Sequence, residues 1–521
     1  MLASIPSATV SGITGQAVVV EVHVSDSGLP AFNVVGLPDT SCREARDRVR
    51  AALVSSGRKW PNRRITVNLA PTGVRKVGAG LDLAIAIGML VAAGDLPPES
   101  VNSTAFVAEL GLDGSLRTVP GTLSLVSAIA DAGADHVIVP TSCAAEAELA
   151  ATVKVRSASS LGELLGALVG DLPWPDPDIE VPCNQDAAPS VPDLAEVVGH
   201  PFARAALEVA AAGGHNLLMV GPPGTGKTML AKRLPGILPP LDHETAIDAT
   251  KIHSVAGLPL PGGGLVAGPP FRAPHHTASA VALIGGGSRW LRPGEISCAH
   301  GGVLFLDEMA EFAPSVLDAL RQPLEDGLIR VSRAMGTETF PASFILVGAM
   351  NPCPCGHLGG PQGCCCSDAA RARYARRLSG PLLDRFDLRV HMQRPAARAL
   401  VRPQPAESTA AVVKRVRVAR GRAESRGVRC NAELSGVELD RWARVSAEGV
   451  PLLEAALEDG RLSARGLVRV RSVALTIMDL QPDPSQVDDE APLTSEAIAS
   501  ALGYRSAPVM LDRVEVARVR R

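Results

Sequence analysis

Lys227 and Thr228 end the segment GPPGTGKT, which runs Gly221, Pro222, Pro223, Gly224, Thr225, Gly226, Lys227, Thr228. The apolar run HNLLMVG precedes it and MLAKRL continues it, so a buried strand should feed a glycine-rich turn and then a helix. That order aims backbone N–H groups and a helix N-terminus at phosphate oxygens. Lys227 would reach the terminal phosphates of ATP, and Thr228 would ligate Mg²⁺. Eighty positions later GGVLFLDE ends a second apolar run in Asp307 and Glu308. A buried parallel strand would deliver both acids to the ligand edge of the sheet, Asp307 for Mg²⁺ and Glu308 to polarise the attacking water.

Three further residues fit the same chemistry. FILVGAMN is a third buried strand ending in Asn351, placed to sense a γ-phosphate. GPLLDRFDL sets Arg385 between a helix and a strand, where it could reach a neighbouring subunit's ATP. LSARG sets Arg465 at the start of a later helix, suited to reading nucleotide state.

Five of the ten cysteines fall between Cys353 and Cys366. Cys353 with Cys355, and Cys364 with Cys366, form two C-x-C pairs around a flexible GHLGGPQG. Four thiolates could close a tetrahedral Zn²⁺ site, with His357 able to replace one of them. Free thiols are the competing reading. No partner base suggests a nucleophile.

The elements that must hold these residues group into segments. Residues 1–170 mix short strands (VVVEVHV, FNVVGL, RRITVNL) with helices, one of them DTSCREARDRVRAALVSSG, and ELGLDGSLRTV reads as a hairpin. Residues 171–193 hold six prolines and form a linker. Residues 194–395 carry the chemistry. RPAARALVRPQPAEST marks a second break, and 396–521 are helical in pattern. A net charge of −3 gives no global bias toward nucleic acid. The apolar run LAIAIGMLVAAG is too short for a bilayer and predicts a buried helix, and no secretory signal opens the chain. The expectation is a cytoplasmic protein without a membrane partner.

The order of phosphate loop, acidic strand, polar strand, arginine and helical lid is that of an AAA+ ATPase. FRAPHHTASAVALIGGG followed by PGEISCAHGGVLFLDEMAEF resembles the magnesium-chelatase-like branch. Together with VVGLPDTSCREARDRVRAAL and LSGPLLDRFDL, these motifs make the chain resemble the ComM/YifB family from end to end. The resemblance implies an α/β AAA+ P-loop core with a helical C-terminal lid, preceded by a Lon-protease-like α+β domain. Members are hexameric ATPases, and one is a DNA helicase of branch migration in natural transformation. Glu308, Asp307, Asn351, Arg385 and Arg465 would then be catalytic base, Mg²⁺ ligand, first sensor, finger and second sensor. In the N-terminal domain Gly80 stands where a Lon-type serine would, and PGTLSLVSAIA has no lysine. Peptidase chemistry is therefore absent, which leaves oligomerisation or DNA guidance as its role.

DNA contacts are expected on EDGLIRVSRAMGTETFPASF, a hairpin with its turn near Gly336 and with Arg330 and Arg333 on one arm. Six such arms in a ring could track phosphates without regard to sequence. KRVRVARGRAESRGVR, Lys414 to Arg429, holds seven basic residues against one acid, but helical spacing spreads them around the cylinder. His275 and His276 suggest a structural or pore-loop role rather than a metal. The leading function is an ATP-driven DNA helicase or translocase. The alternative is a chelatase-type or protein-remodelling ATPase without DNA activity.

Overall fold

The structure is a computed structural model. It describes residues 2–506 apart from 26–28, 151, 176–190, 262–263, 288–290, 334–335, 359–362, 396–400, 402–405 and 482–490. Most of the proline-rich linker and of the second break thus lies outside the described residues.

Period-two alternation folds the first segment as read. Strands Leu2–Ser11, Thr14–Ser25 and Arg64–Ala70 pair antiparallel, and Ala31–Val35 joins the last of them in parallel. The helix Thr40–Ser55 starts where the Asp39 side chain accepts the N–H of Cys42. LAIAIGMLVAA lies in the helix Asp82–Ala93, buried through Ala92, and the following Gly94 is its left-handed C-cap. An all-round apolar sequence needs neighbours on every side, and here strands and helices supply them. Glu109–Leu110 and Leu116–Arg117 form the expected hairpin.

The second segment is built on five parallel strands. Their order across the sheet is Phe271–Arg272, Val303–Leu306, Ile345–Met350, Leu217–Val220 and Leu388–His391. The middle three are buried along their whole length, as a sheet covered on both faces requires. Helices Thr409–Ser425, Gly436–Trp442, Val450–Glu458, Ala464–Asp479 and Ser495–Ser506 follow and share a core with Pro201–Gly213. In that lid Arg426 donates to both oxygens of Asp479 at 2.6 and 2.7 Å, and both residues are buried.

The two segments touch. Val255 of the helix His243–Ala256 enters the core beneath the first segment, and Gly121 N–H donates to Ser254 Oγ at 2.7 Å. The turn at Gly12 (φ +61°) meets Glu338, to which Ser11 donates a hydrogen bond. A β-carbon at Gly12 would sit 2.7 Å from Glu338 Oε2.

Candidate functional site

Parallel strands expose their carboxyl ends together, and the pocket forms there. Val220 pairs in register with Met350, and Leu306 with Gly348, so Gly221, Asp307 and Asn351 leave the sheet side by side. Gly221 N–H donates to the Met350 carbonyl at 3.1 Å. Gly226 takes φ +85° as the cap of the helix Lys227–Ala231, a conformation only glycine adopts without strain.

Lys227 folds over this turn. Its Nζ donates to the carbonyls of Gly221 (2.6 Å) and Pro222 (3.0 Å) and to Asn351 Oδ1 (3.3 Å). Burial pulls its ammonium below the usual range, while the charges of Asp307 and Glu308 oppose that shift. Thr228 Oγ1 donates to Asp307 Oδ2 at 2.8 Å, so the two oxygens assigned to Mg²⁺ already converge. A hydroxyl and a carboxylate are the hard oxygen donors that ion takes.

Glu308 is half-exposed and has φ +49°, one of three non-glycine residues with positive φ among the described residues. His276 Nδ1 lies 3.1 Å from its Oε2. This contact is not legible in the sequence, because the two residues come from loops after different strands. Arg272 is held bidentately by Glu295 at 2.6 and 2.8 Å and is not available to a ligand in this state.

Arg385 and Arg465 are elsewhere. Arg385 precedes the strand Leu388–His391, and its carbonyl accepts from Asn216 Nδ2 at 3.0 Å, one residue before the strand Leu217–Val220. That is the amino edge of the sheet. Five residues of strand, at ~3.3 Å each, put it roughly 16 Å from Gly221. Arg385 and Arg465 line one cavity of about 280 Å³ with His215, Glu325, Asp387 and Arg469. Arg385 is 7% exposed, donates to the Pro381 carbonyl at 2.7 Å and pairs with Glu325.

The hairpin has strands Leu328–Arg333 and Gly336–Pro341, and the two residues between them, beside the Gly336 where the turn is expected, lie outside the described residues. Arg330 is exposed opposite Thr339. Arg333 ends its strand, and its side chain lies outside the described residues. The basic stretch 414–429 is largely used inside the fold: Arg415 binds Glu208 and Glu407, Arg420 the Ala211 carbonyl, Arg422 the Asp479 carbonyl, and Arg429 Glu433. Lys414 and Arg417 are exposed.

The sulfurs of Cys353, Cys355, Cys364 and Cys366 all lie within 4.8 Å of one another. Cys353 is 3.3 Å from Cys355 and 3.6 Å from Cys364. The backbone of His357 draws the Cys355 thiol down to about 5, toward thiolate. Cys365 is exposed and outside the group. No described helix is long and apolar enough to cross a membrane.

A parallel α/β sheet with a phosphate loop, an acidic strand and a helical lid defines a P-loop nucleotide-binding protein of the AAA+ type. Family models agree: magnesium chelatase, subunit ChlI, matches residues 193–400, subunit ChlI of Mg-chelatase matches 20–143, and the ChlI C-terminal region matches 406–505. The chain is 42% identical over 517 residues to YifB of Salmonella typhimurium, covering 99% of both. It is 40% identical over 516 residues to competence protein ComM of Haemophilus influenzae, covering 98% of this chain and 99% of that one. A Mycobacterium tuberculosis protein is 45% identical over 503 residues, covering 96% and 97%. The chain belongs to the magnesium-chelatase-like family that includes YifB and ComM.

Proposed function

We propose that this protein is an ATP-hydrolysing motor that works as a ring, with DNA as its track. One observation carries the ring: Arg385 and Arg465 line a cavity at the amino edge of the sheet whose carboxyl edge bears Lys227, Asp307 and Glu308. A chain cannot bend its own arginines around the sheet to its own phosphates. A neighbour stacked edge to edge can offer them. Arg465 on this reading acts on the next subunit's nucleotide, together with Arg385.

Within the pocket, Lys227 exchanges its carbonyl partners for phosphate oxygens, and Asn351 follows the terminal phosphate. Thr228 and Asp307 would hold Mg²⁺, which supplies charge neutralisation on the phosphates. Glu308 leaves His276 and accepts a proton from the attacking water. The same reading includes one structural zinc ion on the four clustered sulfurs, a hexamer as the ring, and residues 1–170, 194–395 and 396–521 as Lon-like, motor and lid domains around the linker 171–193. At Gly80 there is no hydroxyl for peptidase chemistry, and a β-carbon there would lie 2.9 Å from Val119 Cγ1.

DNA is supported by the exposed Arg330 and by the likeness to a competence protein. The internal pairing of the 414–429 arginines favours the second reading, a remodelling or chelatase-type ATPase that makes no use of DNA. The deciding experiment is ATP turnover with and without single-stranded or forked DNA, followed by strand displacement. Stimulation with unwinding supports the motor on DNA, and turnover indifferent to DNA rejects it.

A further inference from the structure

Gly356 joins the thiol cluster to the phosphate loop. It follows Cys355, takes φ +77°, and its N–H donates to the Cys353 carbonyl at 2.9 Å, closing a tight turn. A β-carbon on it would fall 2.6 Å from Pro223 Cδ, 2.9 Å from Pro223 Cγ and 3.8 Å from Asn351 Cγ. The C-x-C-G turn therefore lies against the back of the loop that Lys227 covers, with only glycine thin enough to fit. Asn351, which accepts from Lys227, stands two residues before Cys353, itself 1% exposed.

The other two sulfurs belong to a different element. Cys366 is followed by Ser367, whose side chain caps the helix Asp368–Ala375. That helix carries the buried Tyr374, whose hydroxyl meets the backbone of Asn351. Four sulfurs thus tie the end of the sensor strand to the start of a helix that leans on the same asparagine.

We infer that these four thiolates bind a single zinc ion, and that the ion latches the phosphate loop so that metal occupancy sets nucleotide affinity. This deepens the function proposed above and rests on its nucleotide pocket. Around one tetrahedral zinc with Zn–S of about 2.3 Å, sulfurs stand ~3.8 Å apart. The observed 3.3 and 3.6 Å separations are close to that and far from a disulfide's ~2.0 Å. A set confined within 4.8 Å is too tight to embrace a cluster of several irons. Soft sulfur donors in fourfold number suit zinc over magnesium or calcium. Binding displaces the thiol protons to solvent. Without the ion nothing holds the buried Cys353 and the partly exposed Cys355, Cys364 and Cys366 together, and the turn under Pro223 loses its anchor.

The test uses the full chain. Zinc per chain is counted by elemental analysis, and affinity for a fluorescent ATP analogue is measured in excess Mg²⁺ before and after zinc removal by a zinc-selective chelator under reducing conditions. The expected result is one zinc per chain, at least tenfold weaker nucleotide binding after removal, and recovery on adding zinc back. Cys364→Ser with Cys366→Ser should lose zinc and affinity together, whereas Cys365→Ser should keep both. Gly356→Ala keeps all four thiols, so it should retain zinc while binding nucleotide about tenfold more weakly. Absence of zinc from both isolated and zinc-incubated protein overturns the site. A zinc-loaded chain whose affinity ignores zinc removal and Gly356→Ala overturns the latch alone. A zinc-loaded chain that binds no nucleotide overturns the pocket itself and the latch with it.

Discussion

Thr228 Oγ1 and Asp307 Oδ2 meet at 2.8 Å, joining the phosphate loop to the acidic strand across 79 residues of sequence. Replacing either with alanine would remove one of the two proposed Mg²⁺ contacts. ATP turnover should fall about 10²-fold or more, and the Mg²⁺ concentration for half-maximal rate should rise. A Mg²⁺ titration of the rate checks this, and an unaltered midpoint would exclude both residues as ligands.

Glu308→Gln keeps the shape of the side chain and removes its basicity. Nucleotide binding should persist while turnover drops about 10²- to 10⁴-fold, as for a lost general base. His276→Ala is the companion. The contact is exposed and worth about 0.6 kcal/mol, so freeing the carboxylate should raise basal turnover about threefold. Steady-state kinetics on both variants decide, and a large fall for His276→Ala would make the histidine an aid to the base rather than a restraint.

Arg385→Ala and Lys227→Ala should each be nearly inactive alone, the first by about 10³-fold or more. Mixed, they should regain turnover, because a Lys227→Ala chain still offers Arg385 to a neighbour with an intact phosphate loop. Activity plotted against mixing ratio should peak near equal amounts. A flat line would mean that the arginine serves its own chain.

Arg426 and Asp479 are both essentially inaccessible and share Asn431, which donates to Asp479 Oδ2 at 2.8 Å. Arg426→Met strands a buried carboxylate and should cost about 3–5 kcal/mol. Adding Asp479→Leu should recover most of it. Urea unfolding of the three proteins gives the comparison.

Burial lowers His215 and His300 to about 4, below the ordinary 6.5. Between these values the unfolded chain takes up a proton that the folded one refuses. Stability is therefore full above pH 6.5 and is lost as pH falls toward 4, by up to about 3 kcal/mol for each histidine. Asp82, pushed up to about 6 by burial, acts in the opposite sense. It destabilises the fold above pH 6, and that penalty is relieved as pH falls to 4. Melting from pH 8 to 4 should show a net decline that His215→Gln makes shallower, and an unchanged slope would remove His215 from the account.

How much of this could be read beforehand follows from distance along the chain. The phosphate loop and its strand are one continuous stretch, and Asp307 and Asn351 each end an apolar run that can only be a buried strand. Their chemistry is local and legible. The clustering of the four cysteines was visible from type and spacing, but its pressure on Pro223 was not, since Gly356 and Pro223 come from different loops. The place of Arg385 required the strand order, because the same residue beside a different strand would face another edge. The arginines of 414–429 looked available only because Glu208, Glu407 and Asp479 lie outside the window that shows them.

Gly12 carries no side chain, and Glu338 fills the space one would need. The first turn of the polypeptide is thus moulded by an acid more than three hundred positions away. A chimera that borrows its opening segment from a relative would have to borrow the hairpin as well, since each is the other's template.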